Sequence, residues 1–196
     1  ASFYLAFRAT EATRRWAIFF LIIPFFTSYL VRTFSWYVIL AEQGVVNAGF
    51  GLVGLGPYTM LNTWIGTLTG YLTLTLPLVV ILQTVALANV DRTLIAAARN
   101  LGCSPVRVLG NVTLPLARTG LIVAALFCFL LSFGDFVAPY YLGGSKPPTL
   151  PILIIDTTKS GQQWPRAAVV AVVMMATLLL IAFFTVKAAY RKRVQP

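Results

Sequence analysis

Histidine is absent from this 196-residue sequence, and only five residues are acidic. A membrane-embedded enzyme needs clustered acids, bases or metal ligands. Five acids and no imidazole do not assemble such a cluster. There are two cysteines, Cys103 in a polar stretch and Cys128 in an apolar one. Their separation gives neither a disulfide framework nor a thiolate metal site. A phosphate-binding P-loop is also missing, so any dependence on ATP must come from a partner chain. Neither catalytic residues nor metal ligands are expected, and this chain is expected to bind no cofactor.

Charge of either sign is scarce. Charged residues make up 10% of the chain and hydrophobic ones 59%, against roughly 25% charged in a soluble domain. That places the chain in the membrane class. The charge present is lopsided, with 15 Lys and Arg against 5 Asp and Glu. In a soluble protein this would point to nucleic acid. Here the basic residues gather at the ends of apolar runs, so they report topology, and no nucleic-acid partner is expected.

A helix needs about 20 apolar residues to cross the hydrocarbon. Spans are expected at about 16–40, 64–87, 116–137 and 167–186. The charge-free run from Gln43 to Val90 is too long for one crossing, and its first part, Gly44 to Leu61, is expected to be interfacial or re-entrant. The chain opens on Ala1, inside the apolar phrase ASFYLAF, so an earlier span is expected and the count is a lower bound. Arg8, Arg14 and Arg15 form one basic cluster, residues 89–115 carry a second, and Lys187, Arg191, Lys192 and Arg193 form a third. All three fall on one side of the membrane if the spans are as drawn, which makes that side cytoplasmic.

The polar interruption at 89–115 is too long for an idle connection. It reads as two short helices meeting at a tight corner. Asp91 is placed to cap the first, with Leu94, Ile95, Ala98 and Leu101 on one face and Arg92, Ala96 and Arg99 on the other. Gly102 suits the left-handed residue that ends it, Ser104 the cap of the second helix and Pro105 its first position. Pro115 marks entry into the next span.

These residues carry a resemblance. AAARNLGCSPVRVLGNVTLP resembles the EAA loop of the permease subunits of binding-protein-dependent ABC importers, in which Glu-Ala-Ala is followed at fixed spacing by Gly and then by Leu-Pro. Ala97, Ala98, Gly102, Val112, Leu114 and Pro115 fill their places, whereas Ala96 stands where the family has Glu and Asn100 where Asp is frequent. LVRTFSWYVILAEQGVVN, FGDFVAPYYLGG and QQWPRAAVVA are similar to phrases of the polyamine branch of that family. The fold the resemblance implies is an all-α, integral-membrane type I importer transmembrane domain, with one or more N-terminal helices missing from this chain. It implies half of a substrate pathway, completed by a second permease subunit and fed by an extracytoplasmic binding protein. It also implies two ATP-binding cassette subunits that use ATP and Mg and grip the loop through Ala96, Ala97, Ala98, Arg99, Gly102, Pro105, Arg107, Leu114 and Pro115. The implied location is the bacterial inner membrane, as a multi-pass protein.

Residues that could face a solute lie elsewhere. Asp135 is the only carboxylate placed in a span, and an acid at that depth needs a partner or water. It reads either as a cation contact or as a structural partner of Arg32 or Arg166. Trp36, Tyr37, Phe133, Phe136, Tyr140 and Tyr141 gather near the same level. They offer cation–π faces or an interfacial belt. Thr59, Thr63, Thr67, Thr69 and Thr73 could line a polar path or simply bond helix carbonyls. Gly66 and Gly70 form a GxxxG, a packing signal. The alternatives weighed are an ion-coupled secondary transporter, which usually shows internal repeats not found here, and an importer permease for a non-cationic solute.

Overall fold

The computed structural model describes residues 1–7 and 9–190, and among these the regular structure is entirely helical. Arg8, Arg191, Lys192 and Arg193, which belong to two of the basic clusters, lie outside the described residues. In chain order the helices are α1 Ser2–Phe7, α2 Glu11–Ile22, α3 Tyr29–Leu40, α4 Val45–Leu52, α5 Trp64–Ala88 and α6 Arg92–Asn100. They continue with α7 Pro105–Val108, α8 Leu114–Gly134, α9 Val137–Tyr141, α10 Leu150–Lys159 and α11 Trp164–Tyr190.

Three helical runs are long and apolar enough to cross a membrane: Trp64–Ala88, Pro105–Gly134 and Trp164–Tyr190. The first and last cover the expected spans 64–87 and 167–186. Very little of the last is buried within the chain, 6% of its most apolar window, so its surface is left for lipid or another subunit. The expected span 116–137 ends earlier, at Gly134.

The expected span 16–40 is not one helix. Pro24 lies in a 3₁₀ turn, Ile23–Phe26, and α3 starts only after Ser28. Proline has no N–H for the helix ladder and its ring crowds the preceding turn. The Thr27 hydroxyl and amide both return to the Pro24 carbonyl, at 2.8 and 3.3 Å, and close the break. The expected interfacial stretch holds α4. Its loop is closed by the buried Asn47, whose amide nitrogen donates to the carbonyls of Ala41 (3.2 Å) and Tyr58 (2.9 Å) while its oxygen accepts from the Tyr58 amide (2.9 Å).

The helices form two compact units. Among the described residues one gathers Ala1–Ile23, Pro77–Phe129 and 181–190; the other gathers Pro24–Leu76 and Leu130–Leu180. The first is centred on Ala6, Leu87, Val90 and Ala117, with Phe7, Ile95 and Leu121 packed against them. The second fully buries Ala138 of α9, Leu142 directly after it and Ile152 of α10.

In the second unit the GxxxG finds its partner within the chain. A side chain on Gly66 would strike the Leu142 carbonyl, and one on Gly70 would strike the Ala138 side chain. The Asn62 amide also donates to the Leu142 carbonyl, at 2.8 Å. Small residues permit this backbone approach, and packing at such a seam is the main force available between helices in lipid. Replacing Gly70 with Val is expected to unseat α9 and cost roughly 1–3 kcal/mol as an overpacked contact. Thermal unfolding of the detergent-solubilised protein checks this, and an unchanged midpoint would rule the seam out.

Candidate functional site

The interruption at 89–115 folds as its residues dictate. Asp91 caps α6, its carboxylate accepting the Thr93 amide at 2.8 Å. That backbone bond, helped by the Thr93 side chain, holds the Asp91 carboxyl below its ordinary value. The helix ends as the amides of Leu101, Gly102 and Cys103 turn back onto the carbonyls of Ala97, Arg99 and Ala98. Gly102 takes φ +77°, a conformation costly to residues with a Cβ. Ser104 stands at the cap of α7 with Pro105 first in the helix, although the serine hydroxyl makes no capping bond. A π turn, Leu109–Thr113, then leads into α8. It shifts the hydrogen-bond register just before Pro115, where a regular helix would lack one donor and crowd the ring.

The two faces of α6 differ from the expected division. Ile95 packs against the core of its unit and Ala98 is half-buried, but Leu94 and Leu101 are exposed, Leu101 by 85%. Arg92, Ala96 and Arg99 do share a side, and it faces a groove with Phe3 and Phe7. The Arg92 guanidinium donates to the Ala6 carbonyl at 3.3 Å. Ala97, Arg107 and Leu114 are exposed, and Pro115 is half-buried.

The second candidate cluster surrounds Asp135, which is not inside a helix. It follows α8 and caps α9: one carboxylate oxygen accepts the Val137 amide at 2.9 Å, the other the Ala138 amide at 3.2 Å. The second oxygen also accepts the Tyr29 hydroxyl at 2.7 Å. The structural pairing expected with Arg32 or Arg166 is therefore corrected. Arg32 donates to the carbonyls of Thr73 (3.3 Å) and Thr27 (3.4 Å), and its guanidinium carbon lies 6.0 Å from the centre of the Tyr29 ring. Arg166 donates to Gln163 at 2.7 Å.

Of the aromatic residues, Phe136, Tyr140 and Tyr37 are exposed, while Trp36 and Phe133 are half-buried. Tyr140 meets Tyr141 edge-on, 5.1 Å between ring centres, and Tyr141 in turn meets Phe34 at 5.0 Å. Neither Tyr29 nor Phe34 stood out in the sequence, because a partner 106 residues away leaves no local pattern. Thr69 and Thr73 donate to carbonyls of their own helix, those of Ile65 and Thr69, and Thr63 donates to Met60 in the turn before it, whereas the buried Thr67 hydroxyl has no hydrogen-bond partner. Among the described residues no group of three His, Cys, Asp or Glu side chains could hold a metal.

Replacing Asp135 with Ala is expected to lower stability by about 1–3 kcal/mol, since two amides and a hydroxyl lose a buried acceptor. Asp135→Asn, which keeps an acceptor, should cost less. Melting curves of the two variants beside Tyr29→Phe test this. A solute contact without a structural role would leave all three midpoints at the wild-type value.

Comparisons with known proteins bear on the chain as a whole. The chain is 30% identical over 150 residues to the spermidine/putrescine transport system permease protein PotB of Haemophilus influenzae, a match covering 76% of this chain and 52% of that protein. It is 28% identical over 134 residues to the inner membrane ABC transporter permease protein YdcU of Escherichia coli, covering 62% and 43%. The chain thus spans about half the length of these curated relatives. Its fold is similar to that of a bacterial ABC transporter involved in the import of the acidic polysaccharide alginate. The TM-score is 0.78 over 98% of this chain and 71% of that one, at 16% identity. A second structure, of the alginate transporter in complex with an alginate pentasaccharide-bound periplasmic protein, gives 0.75 over 97% and 69%, at 14% identity. The family described as binding-protein-dependent transport system inner membrane component matches residues 1–196, and the chain belongs to that family of membrane permeases.

Proposed function

We propose that this chain is the permease subunit of an ABC importer for a polyamine or a related small cationic solute, in the bacterial inner membrane. The observation that carries the permease reading is the loop itself. Two short helices turn at Gly102 and leave through Leu114 and Pro115, within a chain of the transport family. Family membership displaces the ion-coupled secondary transporter weighed from the sequence. In this reading two ATPase subunits bind ATP and Mg and hold the loop, a second permease subunit completes the pathway, and a binding protein delivers the solute.

Similarity to a spermidine/putrescine permease supports a cationic solute. The exposed rings of Tyr37, Phe136 and Tyr140 supply faces for ammonium groups, each contact worth about 0.5–1 kcal/mol or more once water is excluded. Trp36 and Phe133 flank them in sequence. Asp135 acts on this path by setting α9, which carries Tyr140.

The transporter reconstituted with its ATPase, second permease and binding protein is expected to hydrolyse ATP faster with putrescine or spermidine. Stimulation by an anionic solute alone would overturn the cationic assignment and leave the permease reading intact. Coupling has its own test in Gly102→Val, which forces a β-branched residue into the left-handed region at about 1–2 kcal/mol. Transport should fall while ATP turnover persists. Normal transport per ATP hydrolysed would count against the loop as the coupling element.

A further inference from the structure

The coupling reading, on which this inference rests, leaves a chemical gap. Ala96 stands where the family resemblance calls for glutamate, so the grip cannot depend on that acid. The charged residues of 89–115 are Asp91, Arg92, Arg99 and Arg107. Asp91 is engaged by the Thr93 amide. What α6 turns outward beside Ala96 is therefore positive.

Arg92 and Arg99 are two helical turns apart, which puts them on one face with Ala96 between them. All three line an open groove of about 450 Å³, walled by Phe3, Phe7 and Ile95. The single bond from Arg92 to the Ala6 carbonyl holds that side chain against the groove wall and leaves most of its donors unused. Arg99 is exposed. Ala96, exposed between them in sequence, contributes only a methyl group to the groove. A guanidinium fork matches a carboxylate in charge and in geometry.

We propose that this groove receives aspartate or glutamate side chains of the ATPase, so that the grip has the opposite polarity to the one a glutamate at position 96 would make. Anionic lipid headgroups share the charge, but the rest of the loop favours protein. Leu101 and Val106 are 85% and 78% exposed. Leu101 lies outside both membrane-length runs, between Ala88 and Pro105, while Val106 stands in the first turn of the second one. Exposed apolar side chains on the same loop as the two arginines match the mixture of a protein interface.

The test uses the assembled transporter in native membranes, measuring ATPase retained after salt washing together with the melting midpoint of the permease. Arg99→Glu is expected to lower retention roughly tenfold or more, because like charges then face each other across the interface. Arg99→Lys should keep most of it. Ala96→Glu is expected to weaken retention too, since it places an acid between the two arginines and opposite another acid. Ala96→Gln, of similar size, separates that charge effect from bulk. Stronger retention in Ala96→Glu would overturn the proposal in favour of the ordinary polarity. Unchanged retention in Arg99→Glu, with lost binding only to phosphatidylglycerol vesicles, would overturn it in favour of lipid. A wild-type chain that retains no ATPase would instead sink the coupling reading itself.

Discussion

The carboxylate of Asp135 holds the point where this chain can least tolerate disorder. In hydrocarbon an unpaired backbone group costs several kcal/mol, so a chain that leaves the helix there needs another acceptor at once. Asp135 supplies it to the amides of Val137 and Ala138 and ties the corner to Tyr29. With α9 capped, its buried side can press on Gly66 and Gly70, and the rings of Tyr140 and Tyr141 come to rest at fixed positions. The substrate-facing reading of the aromatic residues depends on that cap.

The same constraint explains the other departures from helix. Thr27 takes over at Pro24, and Asn47 closes the loop around α4 with three hydrogen bonds. The hydroxyls of Thr69, Thr73, Thr75 and Thr84 in α5 return to carbonyls of their own helix, which removes them as free donors at little cost. At Asp91 and Gly102 the interruption uses the devices of water-exposed helices, a side-chain cap and a left-handed glycine.

Much of this was legible because it is local. Asp91, Gly102 and Pro105 act on residues within a turn of themselves, so their spacing alone locates α6, the corner and the start of α7. The break at Pro24 was missed, because a long apolar run hid it: hydropathy measures affinity for lipid and says nothing of a missing N–H. Asp135 was recognised as needing a partner, and an arginine was the natural candidate on charge. The corner geometry instead offered amides and a phenol, which satisfy a carboxylate without bringing in a second charge to desolvate.

The sequence by itself determined a membrane-embedded chain, three of its long helices and a polar interruption of two short helices. Those properties follow from hydropathy and from interactions between near neighbours, which any folded form of the chain must share. Only the tertiary structure decided that Tyr29 meets Asp135, that the GxxxG seats α9, and that Arg92 and Arg99 share a groove with Phe3 and Phe7. Each joins residues far apart in the chain, and packing of the helices, not spacing along any one of them, brings such residues together.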